Sequence, residues 1–166
     1  MALIDKTYFK GEYMIPNIDG VGAVATAAGE SLGWYIAKYD PEYLRLVLGE
    51  TLYDALISGL AITPVQAKWA ALRNVLVDST NKLSYITGYV YYFVERSRFS
   101  LNTSQGQAKA KAQNSENVIN TAPMRKAYNE SMEYGRNVRA WLTENLADYP
   151  EYTVSELKAL KHLIPW

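Results

Sequence analysis

Few side chains in this 166-residue chain have the type and spacing to do chemistry. Gly20, Gly22 and Ala25 reproduce a G-x-G-x-x-A pattern, and Asp40 follows about where an acid would hold a ribose hydroxyl. In a dinucleotide site those glycines let backbone approach a pyrophosphate between a strand and a helix. Here Pro16 interrupts the residues where the strand would lie, and no βαβ unit follows. The stretch reads as a flexible lead-in to the first helix. His162 is the only histidine, with no cysteine or second histidine to share a metal. It reads as a helix-end residue rather than a base or ligand. The H-E-x-x-H, P-loop and G-x-S-x-G patterns do not occur, and the carboxylates are scattered singly. The expectation is a protein that is not an enzyme, with no catalytic residue, metal or cofactor.

Arg96, Arg98, Lys109 and Lys111 form a run with no acid between Glu95 and Glu116. No nucleic-acid reading motif accompanies them. Four spaced bases suit sequence-independent contact with a polyanion, or simple solubility. The two lysines lie in residues 102–117, NTSQGQAKAKAQNSEN, sixteen positions without one large apolar side chain. A loop of this length inside a domain is generally functional or disordered. Fully extended it reaches roughly 50 Å, past the body of a small domain. Residues 102–120 are therefore expected to protrude as a polar arm or loop, with a β-ribbon as one form it could take. Ser104, Gln105, Gly106, Lys109 and Lys111 are its candidate contact residues toward another subunit.

The elements that would carry these residues read as helices. Residues 1–18, with Pro16 and mixed polarity, look like an extended N-terminal arm. From Val24 the apolar positions Val24, Ala28, Leu32, Tyr35, Ile36 and Tyr39 mark one helical face. Asp40-Pro41 is expected to stop that helix and start the next, since Asp caps well and Pro suits the first helical position. Tyr43, Leu44, Val47 and Leu48 make a short helix ended by Gly49, and Leu52, Tyr53, Leu56 and Leu60 continue as another. Thr63-Pro64-Val65-Gln66 has the form of a capping box, leading into the face Val65, Trp69, Leu72, Leu76. After the polar turn at 78–81 a long helix runs to about Ser100. It has one stripe at Leu83, Ile86, Val90, Phe93 and Val94 and a second at Tyr85, Tyr89 and Tyr92. Two apolar faces imply burial on two sides, or a partner subunit.

Met124, Tyr128, Met132, Gly135, Val138, Leu142 and Leu146 define a last long helix from about Pro123, ended by Asp148-Tyr149-Pro150. Thr153 and Glu156 form a further capping box ahead of a short helix with Leu157 and Leu160. The fold class is all-α, a single-domain bundle of about five to seven helices with the polar arm between the last two long ones.

Composition narrows the class. Apolar residues make up 49% and charged ones 20%, which a wholly disordered chain would not show. There is no cysteine, hence no disulfide, thiolate zinc site or thiol chemistry. Asp5, Lys6, Lys10 and Glu12 leave no apolar signal-peptide core. The longest uncharged apolar-rich run, residues 83–94, is too short for a bilayer. Net charge is zero, yet residues 1–60 balance at −4, residues 61–120 at +4 and the rest at zero. Solvated faces can differ so by chance, or two complementary faces can steer head-to-tail association.

Fourteen tyrosines and four tryptophans supply large area with a polar tip. Trp34, Trp69 and Trp141 fall on helix patterns and are assigned to the core. Trp166 follows Leu163, Ile164 and Pro165, and residues 162–166 form a tail that docks either on a partner or on its own domain.

The run Tyr39-Asp40-Pro41-Glu42-Tyr43-Leu44, followed by Leu48-Gly49-Glu50-Thr51-Leu52-Tyr53, resembles the helical head–tail connector proteins of tailed phages, those of Bacteroides phages and crAss-like phages in particular. A Trp-containing helix at Trp69 and an aromatic-rich helix from Tyr85 to Phe99 continue the likeness. So do the polar positions Ser104, Gly106 and Glu116-Asn117, and a closing helix from Lys126 to Leu142. It spans roughly residues 30–145. The resemblance implies a ring of subunits, commonly twelve, joining the capsid portal to the tail and enclosing the channel through which DNA passes. It implies a virion protein assembled in the host cytoplasm, with no catalytic residue and no membrane.

Its partners would be copies of itself, the portal, other neck or tail rings and, transiently, DNA. On that reading Leu163, Ile164, Pro165 and Trp166 dock on the portal. Ser104, Gln105, Gly106, Lys109 and Lys111 face the channel or a neighbour, and Arg96, Arg98, Lys109 and Lys111 touch the polyanion. Another neck part, such as a tail-completion or tail-terminator protein, and a cellular helical interaction module remain open.

Overall fold

The computed structural model describes residues 1–16, 18, 23–99, 101–103, 106–108 and 121–163. Five α-helices form the all-α bundle expected: α1 (Ala23–Leu48), α2 (Glu50–Ala61), α3 (Ala67–Leu76), α4 (Tyr85–Phe99) and α5 (Ala122–Glu144). Single 3-10 turns lie at Lys6–Tyr8, Gly11–Tyr13 and Val154–Glu156. Between α4 and α5 a short ribbon, β1 (Leu101–Thr103) with β2 (Gly106–Ala108), pairs antiparallel with Asn102 opposite Gln107.

α4 sits at the centre because it is apolar on two sides. Ile86, Tyr89, Val90 and Val94 are buried, and α1 and α5 cover them. Tyr85 stacks on Tyr134 at 4.4 Å, and Tyr92 lies 4.9 Å from Tyr128, so α4 and α5 run antiparallel. The two helices touch where side chains are smallest. A Cβ on Gly88 would lie 2.7 Å from Ser131 Oγ and 2.9 Å from the Ala127 carbonyl. Ser131 Oγ is within bonding distance of the carbonyls of Tyr85 (2.7 Å) and Ala127 (2.8 Å), and its single proton serves one at a time.

α1 is one helix where two were expected. Pro41 lies inside it, and Asp40 does not act as a cap. Proline removes an N–H and normally breaks a helix interior. Here packing on both flanks of Pro41 outweighs that loss: Ile36, Tyr43, Leu44, Val47 and Leu48 are all buried. Asp40 is fully buried and turns its carboxylate to the N-terminal segment. Its Oδ2 accepts from the amides of Leu3 (2.8 Å) and Ile4 (3.0 Å). The first residues are thus not a free arm: Ile4, Tyr8, Phe9, Ile15 and Ile18 belong to the core.

α1 ends as expected at Gly49, whose φ of 84° suits a residue without a Cβ. The Arg139 guanidinium completes that end. It donates to the carbonyls of Leu46 (2.6 Å) and Val47 (3.1 Å), so a cation sits at the negative pole of the helix.

Other boundaries moved for local reasons. α3 starts at Ala67, and neither Thr63 nor Gln66 caps it by side chain, leaving Val65 39% exposed. α4 starts at Tyr85 because Asp78 and Leu83 exchange backbone hydrogen bonds first. The Asp78 carboxylate holds the Thr80 and Asn81 amides, and Ser84 Oγ accepts from Ile86 N. Leu83, placed in the stripe, is 58% exposed. α5 stops at Glu144, and Leu146 is 49% exposed. After Thr153 there is only the 3-10 turn, with no side-chain cap from Thr153.

Candidate functional site

A groove of about 730 Å³ runs beside the second half of α1. Lys38, Glu42 and Arg45 line it from α1, Tyr89 from α4, and Glu156 and Lys158 from the C-terminal segment. Its carboxylates are engaged. Glu42 accepts from Tyr89 Oη at 2.8 Å, Glu50 from Arg45 Nε at 2.8 Å, and Glu156 from Thr51. Burial, reinforced by Glu42, pushes the Tyr89 phenol well above its ordinary range, so it is a hydrogen-bond donor and not a phenolate at neutral pH. The ammonium groups of Lys38 and Lys158 have no ion pair with any described residue. Chemically the groove presents two ammonium groups that no carboxylate of the described residues neutralises.

Lys38 joins the groove to an aromatic edge on α1. Its Nζ lies 5.0 Å above the Trp34 ring and 4.9 Å above Tyr39. Trp34 meets Tyr35 edge-on at 5.1 Å, and Tyr39 stacks on Phe93 at 3.9 Å and 6°. Trp34, assigned to the core, is 57% exposed. The sequence held the signal: position 34 falls outside the apolar face 24, 28, 32, 35, 36, 39 that marks α1. Trp69 is buried as expected, and Trp141 is half-buried 5.5 Å from Tyr149.

Few of the residues singled out for contact are among those described. Arg96 is exposed, while Arg98 is paired with Glu95 at 2.9 Å. Gly106 opens β2. Ser104, Gln105, Lys109 and Lys111 lie outside the described residues, as do Gly20, Gly22, Ile164, Pro165 and Trp166. Leu163 is anchored on its own subunit: Asn129 of α5 accepts from its amide (2.8 Å) and donates to its carbonyl (3.2 Å). His162 Nε2 lies 2.8 Å from Arg136 Nη1 and 3.7 Å from Glu133, on the flank of α5. Asp40 is occupied by backbone amides, so it is not placed to hold a ribose.

Among the described residues no group of three or more His, Cys, Asp or Glu could hold a metal ion, and no helix is long and apolar enough to cross a membrane. No family model, curated protein or solved structure matches the chain.

Proposed function

We propose that this chain is a structural subunit of a multi-copy ring of the phage head–tail connector kind, bridging portal and tail around the DNA channel. The observation that carries the reading is the pairing of the two helices that flank the polar segment. α4 and α5 pair antiparallel, so both ends of residues 100–121 are held at one end of the most extensively packed helix pair. Within that span residues 102–117 carry no large apolar side chain and so have nothing to bury in their own core, and a rigid base would let them reach a neighbour or the channel.

The residues behind the family likeness also have structural work. Asp40 ties down the N-terminal segment, and Gly49 turns α1 into α2. The subunit's partners on this reading are its own copies, the portal, other neck rings and passing DNA, with Arg96, Lys109 and Lys111 offering sequence-independent charge to the last.

Native mass spectrometry of the protein alone and mixed with its cognate portal tests the proposal. The expected result is a discrete multi-copy species, seated on portal, at the mass of a closed ring. A monomer indifferent to portal would overturn it in favour of a cellular interaction module.

A further inference from the structure

The two ends of the bundle carry complementary chemistry. Val47 and Tyr43 of α1 lie against Gly135 of α5, and Tyr43 Oη donates to the Ser131 carbonyl, so these two helices run side by side in the same direction. Counting turns from that contact, Trp34 and the end of α5 at Glu144 are separated by roughly 30 Å along the bundle.

At the first end stands the exposed Trp34 with the Lys38 ammonium above it, a cation with no ion pair among the described residues. At the other end, residues 141–156 contain four acids and no lysine or arginine. Glu151 is paired with Lys68 and Glu156 with Thr51. Lys68 Nζ also lies 3.5 Å from the Asp148 carbonyl, but the Glu144 and Asp148 side chains are exposed and have no ion pair with any described residue, and half-exposed Leu146 lies between them in sequence.

We propose that the Trp34–Lys38 edge of one copy docks on the Glu144–Asp148 corner of the next. Lys38 meets the carboxylates, and the Trp34 ring covers Leu146. This rests on the multi-copy reading above and names its surfaces. A second copy fits because the charges are complementary: a cation beside a large exposed ring at one end, and two exposed carboxylates beside an aliphatic side chain at the other, none of them in an ion pair with a described residue. Tryptophan packed in the centre of a contact is the commonest kind of binding hot spot, and opposite charges steer its approach. Because the two patches are different surfaces, the contact is heterologous, and it propagates until the rotation per subunit closes it.

Charge exchange between chains tests this. The wild type, W34A, K38E and D148K are compared by native mass spectrometry and sedimentation, alone and with portal, after circular dichroism has confirmed equal helicity. Each variant alone is expected to weaken self-association about tenfold or more. An equimolar mixture of K38E and D148K is expected to restore it, because in alternating order every contact again pairs opposite charges. Variants that associate like wild type, or a mixture that fails to recover, would overturn these surfaces while leaving the ring reading intact. A wild type that stays monomeric both alone and with portal would overturn the ring reading as well.

Discussion

Glu156 caps the first turn of α2 through a residue 105 positions earlier: its Oε2 accepts from the Thr51 amide at 3.0 Å and its Oε1 from Thr51 Oγ1 at 2.6 Å. The first turn of α2 would otherwise have no side-chain acceptor, since Gly49 stands at its N-cap. One carboxylate therefore fastens the C-terminal segment to the start of α2, at the pole where a negative charge is favoured.

Removing that acceptor is expected to loosen both parties. The bonds to Thr51 hold the Glu156 carboxyl below its ordinary 4.5. A depressed folded-state value means the contribution is present above about pH 4.5 and is lost as pH falls through the lower, folded value. Thermal melts should show Glu156→Gln below wild type at pH 7, with the gap closing toward pH 3. A gap that widened in acid would mean that the carboxylate is not the cap.

Asp40 has the opposite sign. Burial raises its carboxyl from 3.8 to about 6, despite the two amides and the nearby Met1 ammonium, which act the other way. The Asp40 charge in turn helps raise the Tyr53 phenol, whose shift comes first from burial. The folded chain thus keeps a proton that the unfolded chain gives up between about pH 4 and 6, and stability from this group falls as pH rises through that window. Two units correspond to about 3 kcal/mol. Asp40→Asn, which keeps an acceptor and removes the charge, should gain on wild type by about that amount between pH 4 and pH 7 in urea unfolding. Asp40→Ala leaves the Leu3 and Ile4 amides without this acceptor, and should speed proteolysis within residues 1–15. A pH-independent difference between Asp40→Asn and wild type would contradict this account.

Two glycines should respond to alanine with opposite signs. At Gly88 the added methyl meets the Ala127 carbonyl, which is backbone and can move only by shifting α5. Overpacking of this kind costs about 1–3 kcal/mol. Gly33, on an exposed face of α1, has nothing within 4 Å of the same added atom. There alanine should stabilise by up to about 1 kcal/mol through helix propensity. Denaturant melts of G88A and G33A check both, and equal effects would mean that the α4–α5 contact is looser than its geometry.

Much of the helical pattern was legible because it follows from local periodicity. The stripe Ile86, Val90, Val94 and the face Met132, Val138, Leu142 are buried as spacing alone requires. Gly49 marks a helix end because its backbone conformation is one that other residues avoid. The absence of large apolar side chains from residues 102–117 likewise rests on residue type alone.

What needed the tertiary structure was every choice between two locally sensible outcomes. Asp40-Pro41 reads as a stop and a start, yet core packing on both sides carries α1 through it, and the Asp40 carboxylate goes to amides 36 and 37 positions away. Thr153 and Glu156 read as a capping pair, but Glu156 caps α2 instead. Residues 1–18 read as an extended arm, although five of their apolar side chains find places among the helices. In each case a polar or apolar group can be satisfied near or far in the chain. Local pattern counts the groups, and only the packed fold decides which partner each one meets.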